Sequence, residues 1–143
     1  MSIWGREWPL RLSVLHTPNA KCISKELSTD SVSGWNGSGI VADFTRTVCH
    51  QYRDDVVLVR VGEFYEAQGL SSIMLMEHAY LNAMGRKCQA GCPEKNIQAT
   101  LECLINAGLC VVICEEHPTR LTKTGCKERF ISQRVSKYNP TYT

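Results

Sequence analysis

The sequence has no run of eighteen apolar residues, which is about the length that a helix needs to cross a membrane. It also has no long apolar stretch of signal-peptide type near its N-terminus, and no targeting peptide is evident. We therefore expect no transmembrane segment. With 43% hydrophobic and 21% charged residues, the 143-residue chain is typical of one globular domain rather than of a disordered protein.

Motifs for catalysis are absent as well. The sequence has no G-x-x-x-x-G-K-[ST] loop for nucleotide phosphates, no G-x-S-x-G turn and no H-E-x-x-H motif. Two pairs of nearby carboxylates, Glu63 with Glu66 and Glu115 with Glu116, could support acid–base chemistry. Such carboxylates are more often solvated or cap a helix, so we expect a protein that is not an enzyme and uses no cofactor.

The histidines never pair, and the cysteines lack the spacing of a zinc site. The four histidines are scattered, and the eight cysteines include two C-x3-C pairs, Cys88 with Cys92 and Cys110 with Cys114. Zinc sites usually combine C-x2-C with a second close pair. Several cysteines lie in apolar runs, where a free thiol packs as a small hydrophobe. We expect reduced packing cysteines and no metal, hence an intracellular, reducing compartment, with a metal site and disulfides as the alternatives.

Charge is unevenly distributed along the chain. Residues 1–51 have five Lys/Arg and four Asp/Glu, residues 52–117 have five and nine, and residues 118–143 have six and one. The middle is therefore acidic and the C-terminal part is basic. A basic segment can touch nucleic acid, an acidic protein or an anionic membrane surface, or it can simply be solvated. The candidate contacts are Lys123, Lys127, Arg129, Arg134 and Lys137.

The apolar pattern divides the chain into three parts. Residues 1–38 are an N-terminal arm, with strand-like alternation at residues 10–15 and a Gly/Ser linker before residue 39. Residues 39–135 form the domain, and residues 136–143 are a C-terminal tail, the end of the basic segment 118–143. We therefore expect a single domain with an arm on one side and a tail on the other.

Within the domain, the predicted order is helix, strand, helix, short strand, helix, strand, strand. A helix at 40–52 precedes a strand at 56–61 that is apolar on both faces and hence central. A second helix begins at 67 or 70 and runs to 80, a short strand lies near 89–90, and Pro93 opens a third helix that Gly108 ends. A strand at 109–114 ends before residues 115–118, and a last strand covers 129–135. The fold class is therefore α/β, a mixed β-sheet with packed helices.

The segment G-E-F-Y-E at residues 62–66 combines two rings with a carboxylate directly after the buried strand. Side chains alternate along an extended chain, so Phe64 and Glu66 point to one side and Tyr65 to the other. A ring can wedge into a base step, and a carboxylate can accept a hydrogen bond from a base edge. Because a carboxylate near DNA is electrostatically unfavourable, such a pair would select helices that deform easily. The alternative is that Phe64 only fills the core.

This segment resembles the Gly-acid-Phe-Tyr-Glu segment of the mismatch-recognition domain at the N-terminus of MutS proteins. The A-G-C-P at residues 90–93 is similar to the family's A-G-x-P, and residues 104–116, which include V-V-I-C-E-E, are similar to its helix end and following strand. The R-F-I-S at 129–132 and the N-P at 139–140 look most like the organellar MutS homologues of plants and algae. The resemblance covers residues 39–140. It departs at Glu94-Lys95, where family members commonly have an aromatic residue and a histidine.

The resemblance implies a MutS domain I-like fold and a role for two residues. Phe64 would stack on a mismatched base through the minor groove, Glu66 would hydrogen-bond to that base, and Tyr65 would pack. The chain shows only this first domain and the start of the next segment, without the connector, lever, clamp and ATPase domains. We expect that it does not perform mismatch repair as a complete MutS protein does.

Two functions are consistent with these observations. The first is a non-enzymatic module that binds mismatched duplex DNA through Phe64 and Glu66. The alternative is a repurposed accessory subunit of a large organellar complex, such as a photosystem or mitochondrial ribosome, with protein subunits as partners and no DNA role. In that case Trp4, Trp8 and Trp35 are candidate anchors, since tryptophan is enriched at interface hot spots. The resemblance suggests the plastid first and the mitochondrion second.

Overall fold

A computed structural model describes residues 39–84 and 89–143, together with the backbone of two short paired strands, β1 (Ser2–Ile3) and β2 (Arg6–Glu7). The strand expected at residues 10–15 and the three tryptophans Trp4, Trp8 and Trp35 lie outside the described residues. None of the helices that the structure describes has the length and apolar character needed to cross a bilayer.

The described domain is a mixed sheet with packed helices, as the sequence predicts, and it has five strands and three α-helices. The helices are α1 (Ile40–Gln51), α2 (Leu70–His78) and α3 (Ile97–Asn106), and the strands are β3 (Val56–Val61), β4 (Phe64–Gln68), β5 (Gln89–Pro93), β6 (Val111–Leu121) and β7 (Lys127–Val135). A single 3₁₀ turn, Glu94–Asn96, precedes α3. The strands lie in the order β5-β4-β3-β6-β7. In this sheet β3 and β6 pair in parallel, and the other neighbours are antiparallel.

The sheet has an apolar core on each face. Helices α2 and α3 cover one face, where their side chains pack on Val56, Leu58 and Ile113. Helix α1 covers the other face, where Val48 and Cys49 pack on a cluster that includes Val57, Val59, Val112 and Cys114. Strand β3 is buried on both faces because it is the middle strand, which confirms the expectation from its unbroken apolar run.

Two elements differ from the sequence prediction. Residues 64–68 form β4, a strand that the predicted order omitted. Pro93 ends β5 in an extended conformation and pairs with Phe64, so α3 begins only at Ile97, after the 3₁₀ turn. The proline therefore precedes the helix rather than opening it, because its backbone is still part of the sheet.

Strand β6 is also longer than the sequence indicates. It continues through residues 115–118 to Leu121 and forms a long hairpin with β7. Pro118 is tolerated because the register is irregular there: Glu116 pairs with Arg129, and the next pair is Leu121 with Lys127. A proline in a strand is expected at such a bulge, since it has no N–H to donate.

Candidate nucleic-acid interface

Phe64 lies at the start of β4, directly after a two-residue hairpin loop. Val61 pairs with Phe64, and the loop between them is Gly62-Glu63. Gly62 has a φ of +62°, which a first loop position of type II′ requires and which glycine adopts without strain. The loop is also tied to neighbouring elements, because the Glu94 N–H donates to Glu63 O at 2.8 Å and the Gly62 N–H donates to Glu116 Oε1 at 3.0 Å. The position of Phe64 is therefore determined by the sheet and not by a mobile loop.

The side chains of residues 64–66 alternate between the two faces of the sheet. Tyr65 is 2% exposed and belongs to the core on the α2–α3 side, whereas Phe64 is 45% exposed. Phe64 and Glu66 pair with Val61 and Val59, so they share the α1 side of the sheet. The packing position expected for Tyr65 is thus confirmed, and the ring of Phe64 is not used to fill the core.

Glu66 lies beside Phe64 in a half-buried environment. Gln89 Nε2 donates a hydrogen bond to Glu66 Oε2 at 3.2 Å. Burial raises the pKa of the Glu66 carboxyl above its ordinary value, while the Gln89 hydrogen bond and the charge of Arg129 act in the opposite direction. A raised pKa makes the neutral acid more accessible. In that form the carboxyl can donate a hydrogen bond as well as accept one.

Gly91 allows β5 to approach Glu66 closely. It pairs with Glu66, and a Cβ added at Gly91 would lie 2.8 Å from Tyr65 O and 3.3 Å from both Cα and Cγ of Glu66. No larger residue fits without separating the strands. The glycine of the A-G-C-P segment is therefore explained by the backbone approach behind Phe64 and Glu66.

A shallow cleft of about 350 Å³ opens beside the Phe64 ring. Its lining residues are Glu63, Phe64, Pro93, Glu94 and Lys95. Glu94 also forms an ion pair with Arg60, with 2.7 Å between Oε2 and Nη2. The ring thus projects from a surface that carries two carboxylates and one ammonium group at its rim.

The comparison with known families agrees with this geometry. Residues 41–142 match the family model described as MutS domain I. The chain belongs to this family. The resemblance seen in the G-E-F-Y-E and A-G-C-P segments is thereby confirmed for nearly the whole described domain, and the chain is a relative of the recognition domain rather than of the MutS ATPase.

A curated relative agrees with the family assignment. The chain is 40% identical over 91 residues to the "DNA mismatch repair protein MSH1, mitochondrial" of Arabidopsis thaliana. The match covers 60% of this chain but only 8% of that protein. The chain therefore spans a small part of the length of this relative.

The basic residues that the charge pattern predicts as candidate contacts fall into two groups. Arg134 forms an ion pair with Asp55: Nε donates to Oδ2 at 2.7 Å and Nη2 donates to Oδ1 at 3.1 Å. Arg129 donates to Arg60 O at 2.9 Å and lies 3.5 Å from Glu116 Oε2. Arg134 thus joins β7 to the residue before β3, and Arg129 joins β7 to β3 and β6. Lys123, Lys127 and Lys137 are exposed, the first two at the turn of the β6–β7 hairpin and Lys137 over the ring of Tyr138.

The sequence reasoning missed a polar cluster on the opposite face of β4. Its centre is Glu115, whose Oε2 accepts hydrogen bonds from the hydroxyls of Tyr65 and Tyr142. Arg60 lies 3.7 Å from Glu115 Oε1 and donates to Tyr65 Oη at 3.1 Å. An arginine within an otherwise apolar strand was the signal that could have indicated such a cluster.

The described residues contain no group of three or more His, Cys, Asp or Glu side chains arranged to hold a metal ion. The six cysteines in this part of the chain are free thiols, and Cys49, Cys92 and Cys114 are buried in the core. Burial raises the pKa of the Cys49 and Cys114 thiols to about 12 in each case. Cys22 and Cys88 lie outside the described residues.

Proposed function

We propose that this domain binds duplex DNA at mismatched or otherwise easily deformed steps, without catalysing a reaction. The observation that carries the proposal is the placement of Phe64 and Glu66. An exposed ring and a half-buried carboxyl project from one face of a strand that is paired on both sides. The ring enters the minor groove and stacks on the displaced base, and the Glu66 carboxyl hydrogen-bonds to that base.

The electrostatic contribution to this binding is small. Lys123 and Lys127 are exposed and positively charged, whereas Arg129 and Arg134 are used internally. If these two lysines neutralise two phosphates, log K falls by about 1.8 for each tenfold increase in salt. The domain thus binds weakly and responds to salt with a shallow slope, and selectivity for a deformable step comes from Phe64 and Glu66.

The test is fluorescence anisotropy with duplexes that differ by a single mismatch. Wild-type protein should bind the mismatched duplex more tightly than the matched one, and Phe64→Ala should remove this preference while binding to the matched duplex persists. Phe130→Ala is a matched control, because Phe130 is 42% exposed and Phe64 is 45% exposed. An equal preference in wild type and Phe64→Ala would refute the assignment of the ring.

A second candidate is an accessory subunit of an organellar assembly. The acidic rim of the cleft and the internal use of two arginines favour it, since both reduce the attraction for phosphates. The name of the Arabidopsis relative includes "mitochondrial", and we propose an organellar location for this protein on that basis. Sedimentation of native protein from a gentle organelle lysate, with and without nuclease, separates the two candidates: a large species that survives nuclease supports the subunit.

A further inference from the structure

The C-terminal segment of the described domain is held against α3 and β7. Gln98 Nε2 of α3 donates to Tyr142 O at 2.6 Å. Gln133 Nε2 of β7 donates to Thr141 O at 2.8 Å, and the Thr143 N–H donates to Gln133 Oε1 at 3.4 Å. Two side chains from different elements thus bind the main chain of three consecutive residues, which fixes where the Tyr142 ring lies.

The Tyr142 ring contacts β4 on the α2–α3 side of the sheet. Its centroid is 6.3 Å from that of Tyr65, with the two rings at 89°, an edge-to-face arrangement. Both hydroxyls donate to the same oxygen, Glu115 Oε2. The carboxylate therefore joins the C-terminal segment to the residue between Phe64 and Glu66.

The hydrogen bonds of Tyr142 and Tyr65 to Glu115 are separate from the hydrogen-bond ladder of β4. The ladder fixes the register of the strand between β3 and β5, and the contact of Tyr65 with Glu115 adds a side-chain anchor outside the ladder. Tyr65 points to one face, and Phe64 and Glu66 point to the other, so a rotation that moves the Tyr65 ring also moves both of its neighbours. A fixed Tyr65 hydroxyl resists this rotation.

We propose that Tyr142 is a positioning residue, and that the C-terminal segment 140–143 acts as a latch that sets the orientation of Phe64 and Glu66 through Glu115 and Tyr65. Displacement of the latch loosens the exposed side of β4 without unfolding the domain. The binding consequence of the latch rests on the proposed function, whereas its effect on β4 does not.

The first experiment measures amide hydrogen exchange in the 143-residue chain with Tyr142→Phe. This change removes one hydrogen bond to a carboxylate, so exchange at residues 64–66 should become about tenfold faster. Exchange in α1, which packs on the other face, should stay within about twofold of wild type. Tyr138→Phe is the control, because the Tyr138 ring is 87% exposed, and it should change neither region.

Two results would overturn the latch. Unchanged exchange at residues 64–66 would mean that Tyr142 does not hold β4. An equal acceleration in β4 and α1 would mean that Tyr142 contributes only to global stability.

The second experiment measures the ratio of affinities for mismatched and matched duplex. Tyr142→Phe should reduce this ratio by about threefold or more, and Tyr138→Phe should leave it unchanged. A reduced ratio supports the latch, and an unchanged ratio overturns its link to the site. If wild type itself shows no preference, the proposed function fails, and the exchange experiment still decides whether the latch exists.

Discussion

Replacing Gly91 with alanine tests the close approach of β5 to β4 behind the candidate site. The new Cβ would lie 2.8 Å from Tyr65 O and 3.3 Å from Glu66 Cα, and both of these are backbone atoms that no rotamer change can move. The strands must separate locally. Overpacking of this kind costs about 1–3 kcal/mol, and the lower backbone entropy of unfolded alanine offsets about 0.4–1 kcal/mol of it. We expect the free energy of unfolding to fall by about 1–2 kcal/mol.

Urea denaturation measures the loss of stability directly. With an m-value of about 2 kcal/mol/M, the midpoint should shift down by about 0.5–1 M. Since Glu66 Cγ also lies 3.3 Å from the added atom, the carboxyl should be displaced, and the preference for mismatched duplex should fall in the same variant.

Gly125→Ala is the control for this experiment. Gly125 has a φ of +84° and nothing within 4 Å of an added Cβ, so alanine there costs about 1–2 kcal/mol of backbone strain without touching β4. It should therefore lose similar stability and retain the mismatch preference. If Gly91→Ala has wild-type stability and wild-type preference, the steric explanation of the A-G-C-P glycine is wrong.

Three further predictions use other parts of the domain. Arg134→Gln should lower the free energy of unfolding by about 1–3 kcal/mol in urea denaturation, because the Asp55 carboxylate is buried and loses both guanidinium hydrogen bonds. A change below about 0.5 kcal/mol would contradict this explanation. Burial and the Glu115 hydrogen bond raise the pKa of Tyr65 above its ordinary value of 10.0. The contribution of this hydroxyl to stability is therefore fully present below pH 10 and is lost as the pH rises beyond it, by about 1.4 kcal/mol per pH unit. Tyr65→Phe should remove this part of the alkaline slope in urea denaturation. At pH 8, peptide mapping after alkylation should find Cys126 modified and Cys114 protected until the protein unfolds. The reason is that Cys126 is exposed, whereas burial raises the pKa of Cys114 to about 12. Equal modification of both thiols in folded protein would contradict the burial of Cys114.

Most of the local structure could be predicted from periodicity. The stripe of α1 and the unbroken apolar run of β3 are patterns within a few neighbouring residues, and both elements form where the sequence indicates. Gly108, with a φ of +84°, lies just after the end of α3, as a C′ glycine does. These signals are local and need no knowledge of the partner strands.

The elements that could not be predicted depend on partners far along the chain. Strand β4 has five residues, and its pairing with both β3 and β5 makes it a strand. The polar end of β6 is typical of a loop, but β7 pairs with it and accommodates Pro118 at an irregular register. Of the candidate site, the opposite sides of Phe64 and Tyr65 follow from alternation, and the packing of Tyr65 follows from the family resemblance. The use of Arg134 by Asp55, 79 positions away, does not.

Strand β4 lies between two hydrogen-bonded neighbours, and this has a consequence for how any ligand meets Phe64. A recognition loop loses conformational entropy when it orders on binding. Here the backbone that carries the Phe64 ring is already ordered, so the protein loses little conformational entropy on binding. The ligand must therefore change its own conformation to make the contact. The free-energy difference between two ligands then reports how readily each one bends or opens. The affinity of the surface around Phe64 should therefore depend on the stiffness of the ligand.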